Sequence, residues 1–155
     1  MEMIPLLEQL NVFIYTILSG ILGGLIGFER EKSEKPAGIR TMSLISSSSA
    51  LIVALGVSIN EFYGGVGDPV RALHGVITGI GFLGAGTIAI NNKVSSRGFH
   101  LTTAATVFAS AAVGITVGAG APITGILATL LILFALRSTI ILEKLGIKNK
   151  KNNQE

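Results

Sequence analysis

Long uncharged runs alternate with short charged segments along the chain. The first three runs are Leu10–Phe28, Thr41–Asn60 and Ala72–Ile90, and the third contains a single titratable side chain, His74. An apolar helix needs about 20 residues to cross the hydrocarbon core of a bilayer. Each of these runs therefore predicts one transmembrane helix.

The last apolar run, Leu101–Leu136, has 36 residues without a charge, which is too long for one crossing. It is interrupted at Gly118–Pro122 by turn-forming residues, with a proline placed to begin a new helix. We therefore predict two further helices, 101–118 and 122–142. The predicted fold is all-α, a compact bundle of five transmembrane helices over residues 10–142, with an outer tail at 1–9 and a basic cytoplasmic tail at 143–155.

Composition supports a membrane protein. Charged residues make up 14% of the chain, against about 25% in soluble domains, and the mean hydropathy is +0.66. The net charge of +3 comes from lysines and arginines that flank apolar runs, so the basic pI of 9.5 does not indicate a nucleic-acid partner. Met1–Gln9 contains neither lysine nor arginine, which argues against a cleaved signal peptide.

Basic residues also predict the orientation, because basic loops stay in the cytoplasm. With five crossings, one side of the membrane receives one basic residue, Arg71, and the other side receives eleven. The amino terminus is therefore expected outside and the carboxyl terminus in the cytoplasm.

Small residues recur inside the predicted helices, where they let neighbouring backbones approach in lipid. The third helix has five glycines between residues 75 and 86, which predicts that it is the central helix or is locally broken. Packing within the chain and docking of another membrane protein both remain open. The glycines assigned to helix packing are Gly20, Gly24, Gly27, Gly75, Gly79, Gly81, Gly84, Gly86, Gly114 and Gly118.

The chain carries little that could support catalysis or a cofactor. It has no cysteine, and no serine has a plausible catalytic base beside it. The segment 79–84 matches the dinucleotide fingerprint in letters only, because no strand precedes it and the next acidic residue is Glu143. We predict neither an enzyme nor a bound cofactor or metal.

Three residues near the outer end of the third helix are candidates for function. Asp68 precedes Pro69, which is typical of a helix N-cap, and Arg71 follows in the first turn. Contact with a cation outside the membrane is the alternative for Asp68. His74 is expected to be neutral and bonded to a carbonyl or hydroxyl group, with a titrating role as the alternative.

Several blocks in order resemble the MgtC/SapB family of bacterial inner-membrane proteins. They are Gly24–Arg30, Lys35–Thr41, Asp68-Pro69 with Arg71, Gly79–Gly86, Arg97-Gly98 and Thr102–Thr106. The resemblance implies a link to growth when magnesium is scarce and to survival inside hosts. Larger members of that family add a soluble cytoplasmic domain after the fifth helix.

The resemblance also selects four charges at the cytoplasmic ends of helices, Glu29, Arg30, Arg40 and Arg97, as a recognition cluster. The alternative is that they only anchor the helix ends. Two functions follow: the protein binds and modulates another membrane protein or itself, or it transports Mg²⁺ directly. Mg²⁺ is held through carboxylates and waters, and no predicted helix has an acidic residue in its interior, which favours the modulator.

Overall fold

The computed structural model describes residues 4–65, 68, 70–89 and 97–144, with the backbone alone for 97–100 and 139–144. This part of the chain forms five helices, one for each predicted run. Their bounds fall within a few residues of the prediction, although α1 begins four residues earlier, inside the predicted outer tail. The helices are α1 (Leu6–Lys32), α2 (Ile39–Phe62), α3 (Val70–Ala89), α4 (Arg97–Gly118) and α5 (Pro122–Lys144).

Four of the helices are long and apolar enough to cross a membrane, namely α1, α2, α3 and the part of α4 from Leu101. The described apolar part of α5, Pro122–Ser138, is shorter. The structure is therefore an all-helical fold with several helices of membrane-spanning length.

Successive helices alternate in direction. Arg30, near the end of α1, contacts Thr103, near the start of α4. In contrast, α2 and α4 run parallel, since Ser110 contacts the carbonyl of Met42 and Gly118 lies against Ala50. One end of the bundle, which we name the hairpin end, holds the α4–α5 turn and the start of α1. The opposite end, named the basic end, holds the α1–α2 loop.

Helix α4 is the centre of the bundle, because it contacts each of the other four helices. Half of its apolar stretch, 50%, is buried, compared with 11% for α3. The expectation that the glycine-rich third helix is central is therefore wrong. The described α3 is also continuous from Val70 to Ala89, so the alternative of a local break is wrong for this range.

Backbone-to-backbone contact joins α1, α2 and α4. A Cβ added at Gly23 would lie 2.5 Å from the carbonyl oxygen of Met42, and one at Gly118 would lie 2.5 Å from that of Ala50. A Cβ at Gly114 would collide with the carbonyl oxygen of Ser46. Such approach is possible only for glycine, and it is how helices associate without a hydrophobic driving force.

Buried serines add hydrogen bonds between the same three helices. The hydroxyl of Ser19 bonds to the carbonyl oxygen and the hydroxyl of Ser46, at 2.9 and 2.8 Å. The hydroxyl of Ser110 donates to the carbonyl oxygen of Met42 at 3.0 Å. These polar contacts are satisfied within the protein, which is required at membrane depth.

Candidate functional site

A buried arginine joins α1 to α4 at the basic end. Arg30 is 4% exposed, and its Nη2 donates a hydrogen bond to Oγ1 of Thr103 at 3.0 Å. The sequence places Arg30 beyond the last apolar residue of the first run, but α1 continues to Lys32 and carries the side chain into the bundle. Arg30 therefore holds two helices together instead of presenting a charge to the surroundings.

The neighbouring carboxylate, Glu29, is 5% exposed. Its Oε1 accepts a hydrogen bond of 2.9 Å from the hydroxyl of Ser33. Its Oε2 is buried and has no hydrogen-bond partner in the described part of the chain. A buried carboxylate oxygen without a donor is costly, so a donor for this atom has to come from outside the described residues.

A pocket of about 390 Å³ lies beside this carboxylate, between α1 and α5. Glu29 and Arg137 are its two charged lining residues, and their side chains are too far apart to count as an ion pair in the described structure. The remaining walls are apolar and come from both helices: Leu25, Phe28, Leu133 and Phe134.

The four predicted recognition charges do not form one exposed surface. Glu29 and Arg30 are buried, whereas Arg40 is exposed in the first turn of α2. The side chain of Arg97 lies outside the described residues. The expectation of a surface cluster is therefore wrong for Glu29 and Arg30, because α1 extends past them and packs on α4.

Sequence reasoning did not identify Glu31 as a residue with a structural role. Its Oε2 accepts a hydrogen bond of 3.2 Å from the backbone N–H of Ile39, the first residue of α2. It thereby caps a helix whose own N-cap residue, Gly38, has no side chain to do so. The sequence signal for this role was the glycine at the N-cap position, because glycine cannot cap the helix with its own side chain.

The three candidates at the hairpin end have simpler roles. Oδ1 of Asp68 accepts a hydrogen bond of 3.0 Å from the N–H of Val70, which is the geometry of an N-cap. Arg71 and His74 are both exposed. The backbone carbonyl of His74 accepts a bond from Thr78, but its imidazole has no hydrogen-bond partner in the described part of the chain.

A second pocket, of about 240 Å³, opens at the hairpin end between α1, α2 and the α4–α5 turn. Its lining includes two carboxylates, Glu8 and Glu61, and three neutral polar side chains, Asn11, Tyr15 and Ser58. Oε2 of Glu8 is buried and has no hydrogen-bond partner within the described residues. No group of three or more metal-binding side chains occurs in the described residues.

The glycines of α3 point away from the bundle. A Cβ added at Gly75, Gly79, Gly81 or Gly86 would meet nothing within 4 Å, whereas one at Gly84 would lie 3.9 Å from Ala104 of α4. Gly75, Gly79 and Gly86 fall on one face by helical spacing. Four of the five glycines assigned to packing in this helix are therefore unpacked in the single chain, while those of α1 and α4 are packed.

The family model described as the MgtC family matches residues 16–145, which include most of α1 and all of the other four helices. The chain belongs to the MgtC family. The resemblance carried by the sequence blocks is thereby confirmed, and the chain is a multi-pass bacterial membrane protein.

Three relatives illustrate the range of the match. An uncharacterised protein of Haemophilus influenzae is 36% identical over 142 residues, or 88% of this chain and 59% of its own length. The "Putative magnesium transporter YhiD" of Escherichia coli is 39% identical over 131 residues, covering 79% of this chain and 58% of its own. Protein MgtC of Brucella abortus is 43% identical over 100 residues, which cover 64% of this chain and 39% of the length of that protein.

The chain thus spans between 39% and 59% of the length of these three relatives. No solved structure matches the chain. The match nonetheless includes both the basic end and the exposed face of α3, because residues 16–145 contain them.

Proposed function

We propose that this MgtC-family protein acts by binding another membrane protein through the exposed glycine face of α3, and so modulates it when magnesium is scarce. The observation that carries the proposal is the contrast among glycines. A Cβ added at Gly23, Gly27, Gly114 or Gly118 would meet the backbone of a neighbouring helix or its cap, whereas one at Gly75, Gly79 or Gly86 would meet nothing within 4 Å. The magnesium link comes from the name of the Escherichia coli relative.

The physical argument rests on the cost of glycine in a helix. Each interior glycine costs up to about 1 kcal/mol relative to alanine in a soluble helix. In lipid, a glycine face is favourable where another helix approaches closely. Helix α3 contacts only α2 and α4 in the described structure, so the helix that uses this face would come from another molecule.

The proposal includes five membrane crossings, with the amino terminus outside and the carboxyl terminus in the cytoplasm. Alternating helix directions and the one-to-eleven distribution of basic residues support it. The α3 face would then lie within the bilayer, where another transmembrane helix can reach it.

The absence of cysteine from the sequence makes a direct test possible. A Gly79→Cys variant, treated in membranes with a bifunctional thiol reagent, should form an adduct with a second membrane protein. Leu130→Cys, on the exposed face of α5, is the control and should not form that adduct. Adducts that are equal in the two variants would contradict the proposal, and a product of twice the 16.1 kDa chain mass would indicate self-association instead.

Direct Mg²⁺ transport is the second candidate, favoured by the pocket at the hairpin end. Two carboxylates and neutral oxygen ligands suit a hydrated magnesium ion. Below this pocket, however, Gly23 of α1 and Gly114 of α4 lie close against the backbone of α2, which argues against a passage between these helices. Magnesium flux into liposomes that contain only the purified protein decides between the candidates. Flux that Glu8→Gln and Glu61→Gln abolish would favour transport.

A further inference from the structure

The pocket between α1 and α5 at the basic end is not used by the proposed function. It combines a buried carboxylate, a guanidinium and an apolar wall in a volume of about 390 Å³. The carboxylate is the informative part, since Glu29 is 5% exposed and its Oε2 has no donor in the described part of the chain. A ligand that brings a cationic N–H donor to this atom would complement it.

The guanidinium of Arg137 sets a second requirement. Arg137 is exposed and lines the same pocket, but it makes no ion pair with Glu29 in the described structure. An arginine at a pocket mouth binds phosphate oxygens readily. A ligand that carries both an ammonium and a phosphate group would satisfy the two residues at once.

The apolar walls set the third requirement. Phe28 is 55% exposed and Phe134 is 65% exposed, so both rings present apolar surface beside the pocket. The pocket lies toward the carboxyl ends of α1 and α5, which in the proposed topology is the level at which lipid headgroups meet acyl chains. The apolar part of the ligand would extend along these rings.

We infer that this pocket binds the headgroup of a phosphatidylethanolamine-type lipid, with its ammonium on Oε2 of Glu29, its phosphate on Arg137 and its chains along Phe28 and Phe134. A choline headgroup lacks an N–H to donate. A glycerol headgroup lacks the cation. The site therefore selects lipids that carry a protonated amine.

Native mass spectrometry of the purified, delipidated protein measures this selectivity directly. The probes are phosphatidylethanolamine, phosphatidylcholine and phosphatidylglycerol with identical acyl chains. We expect the first to bind about tenfold more tightly than the other two, the effect of one charge-assisted hydrogen bond. Equal binding of the three lipids would overturn the inference, and a preference for phosphatidylglycerol would reduce the site to a phosphate contact with Arg137.

Two variants assign the roles. Glu29→Gln should lose the preference for phosphatidylethanolamine, whereas Arg137→Gln should lower the affinity for all three lipids alike. Arg40 is exposed at the same end and lies outside the pocket, so Arg40→Gln should leave the affinity for all three lipids unchanged. A preference retained by Glu29→Gln would overturn the assignment of the ammonium to this carboxylate.

Stepwise N-methylation of the lipid tests the same contact in the unaltered protein, should Glu29→Gln not fold. Affinity should fall at the trimethyl form, where the last N–H disappears, and a smooth decline with headgroup size would overturn the inference. Water-soluble glycerophosphoethanolamine distinguishes the lipid from the free headgroup. It should not compete, since it makes no contact with the apolar walls, and equal competition would overturn the lipid assignment.

Discussion

At the scale of single residues, the most consequential feature is the charge buried at the end of α1. The guanidinium of Arg30 on α1 contacts Thr103 on α4, which is 73 residues away in the sequence. An arginine in such a position must keep its hydrogen bond, because a buried charge without a partner is strongly unfavourable. Arg40, which is exposed, has no such constraint.

Replacing Arg30 should therefore destabilise the protein. We expect Arg30→Ala to lower the free energy of unfolding by about 2 kcal/mol, the contribution of a hydrogen bond to a charged group. Thermal unfolding in detergent measures it, with Arg40→Ala as the matched control, expected to be unchanged. Equal stability of the two variants would show that the contact of Arg30 with Thr103 contributes nothing.

The turn after α1 offers a change in the opposite direction. Glu34 has a φ of 54°, and the N–H groups of Glu34 and Lys35 bond to the carbonyls of Glu31 and Arg30, the arrangement that usually places glycine at this position. Gly120, after α4, occupies the corresponding position with a φ of 83°. Glutamate in this left-handed conformation is strained.

Relief of that strain should stabilise the fold. We expect Glu34→Gly to raise the free energy of unfolding by about 0.5–1 kcal/mol. The same thermal measurement checks it. Lys32→Gly, exposed in the last turn of α1, is the control and should lower the stability by a similar amount. A Glu34→Gly variant that unfolds at a lower temperature would contradict this account.

The sequence singled out four charges as candidates, but it did not indicate how they are placed. The motif around Glu29 and Arg30 was identifiable from the resemblance alone. Their burial was not, because it depends on Thr103, whose position beside Arg30 is fixed only by the packing of α4. The cap that Glu31 provides to α2 depends in the same way on the path of the α1–α2 loop.

At the scale of helices, composition identified every described element but misjudged which one is central. In lipid, both the buried and the exposed faces of a helix are apolar, so hydrophobic periodicity does not distinguish them. Because α3 contains five glycines, the sequence led us to expect it at the centre of the bundle. Helix α4 holds that place instead, and its Ser110, Gly114 and Gly118 lie on the face that α2 covers.

The contrast between the two glycine faces gives a prediction for these helices. Gly114→Leu should abolish stable accumulation in the membrane, because a Cβ there already collides with Ser46 and would lie 2.9 Å from the Cβ of Ser49. Gly79→Leu should accumulate normally, since a Cβ at this position meets nothing within 4 Å in the described part of the chain. Immunoblots of membranes from cells expressing each variant measure both levels.

The same pair separates folding from function. With Gly79→Leu present at normal levels, growth at limiting Mg²⁺ should fail if the α3 face contacts another protein, because the leucine blocks close approach of a helix. Loss of Gly79→Leu from the membrane would instead show that α3 is packed more tightly than the structure describes.

At the scale of the whole molecule, alternation of helix direction places the start of α1 and the end of α5 at opposite ends of the bundle. The α1–α2 loop lies at the basic end, with Arg30, Lys32, Lys35 and Arg40 in or beside it. The turn after α2, at Gly64 and Gly65, follows a helix that runs to the hairpin end. Since basic loops remain in the cytoplasm, the basic end is expected to face inward.

This orientation predicts the outcome of reporter fusions at three positions. Reporters after Lys35, Gly65 and Lys148 should read cytoplasmic, external and cytoplasmic, because α2 crosses once between the first two positions and α3, α4 and α5 cross between the second and third. The fifth crossing is the most informative, since the described apolar part of α5 is the shortest. An external reading after Lys148, with the other two readings as expected, would contradict five crossings and would point to α5, the shortest apolar helix, as the one that does not cross. A cytoplasmic reading there is the result expected if α3, α4 and α5 all cross, and it would place Glu29 and Arg137 at the inner leaflet.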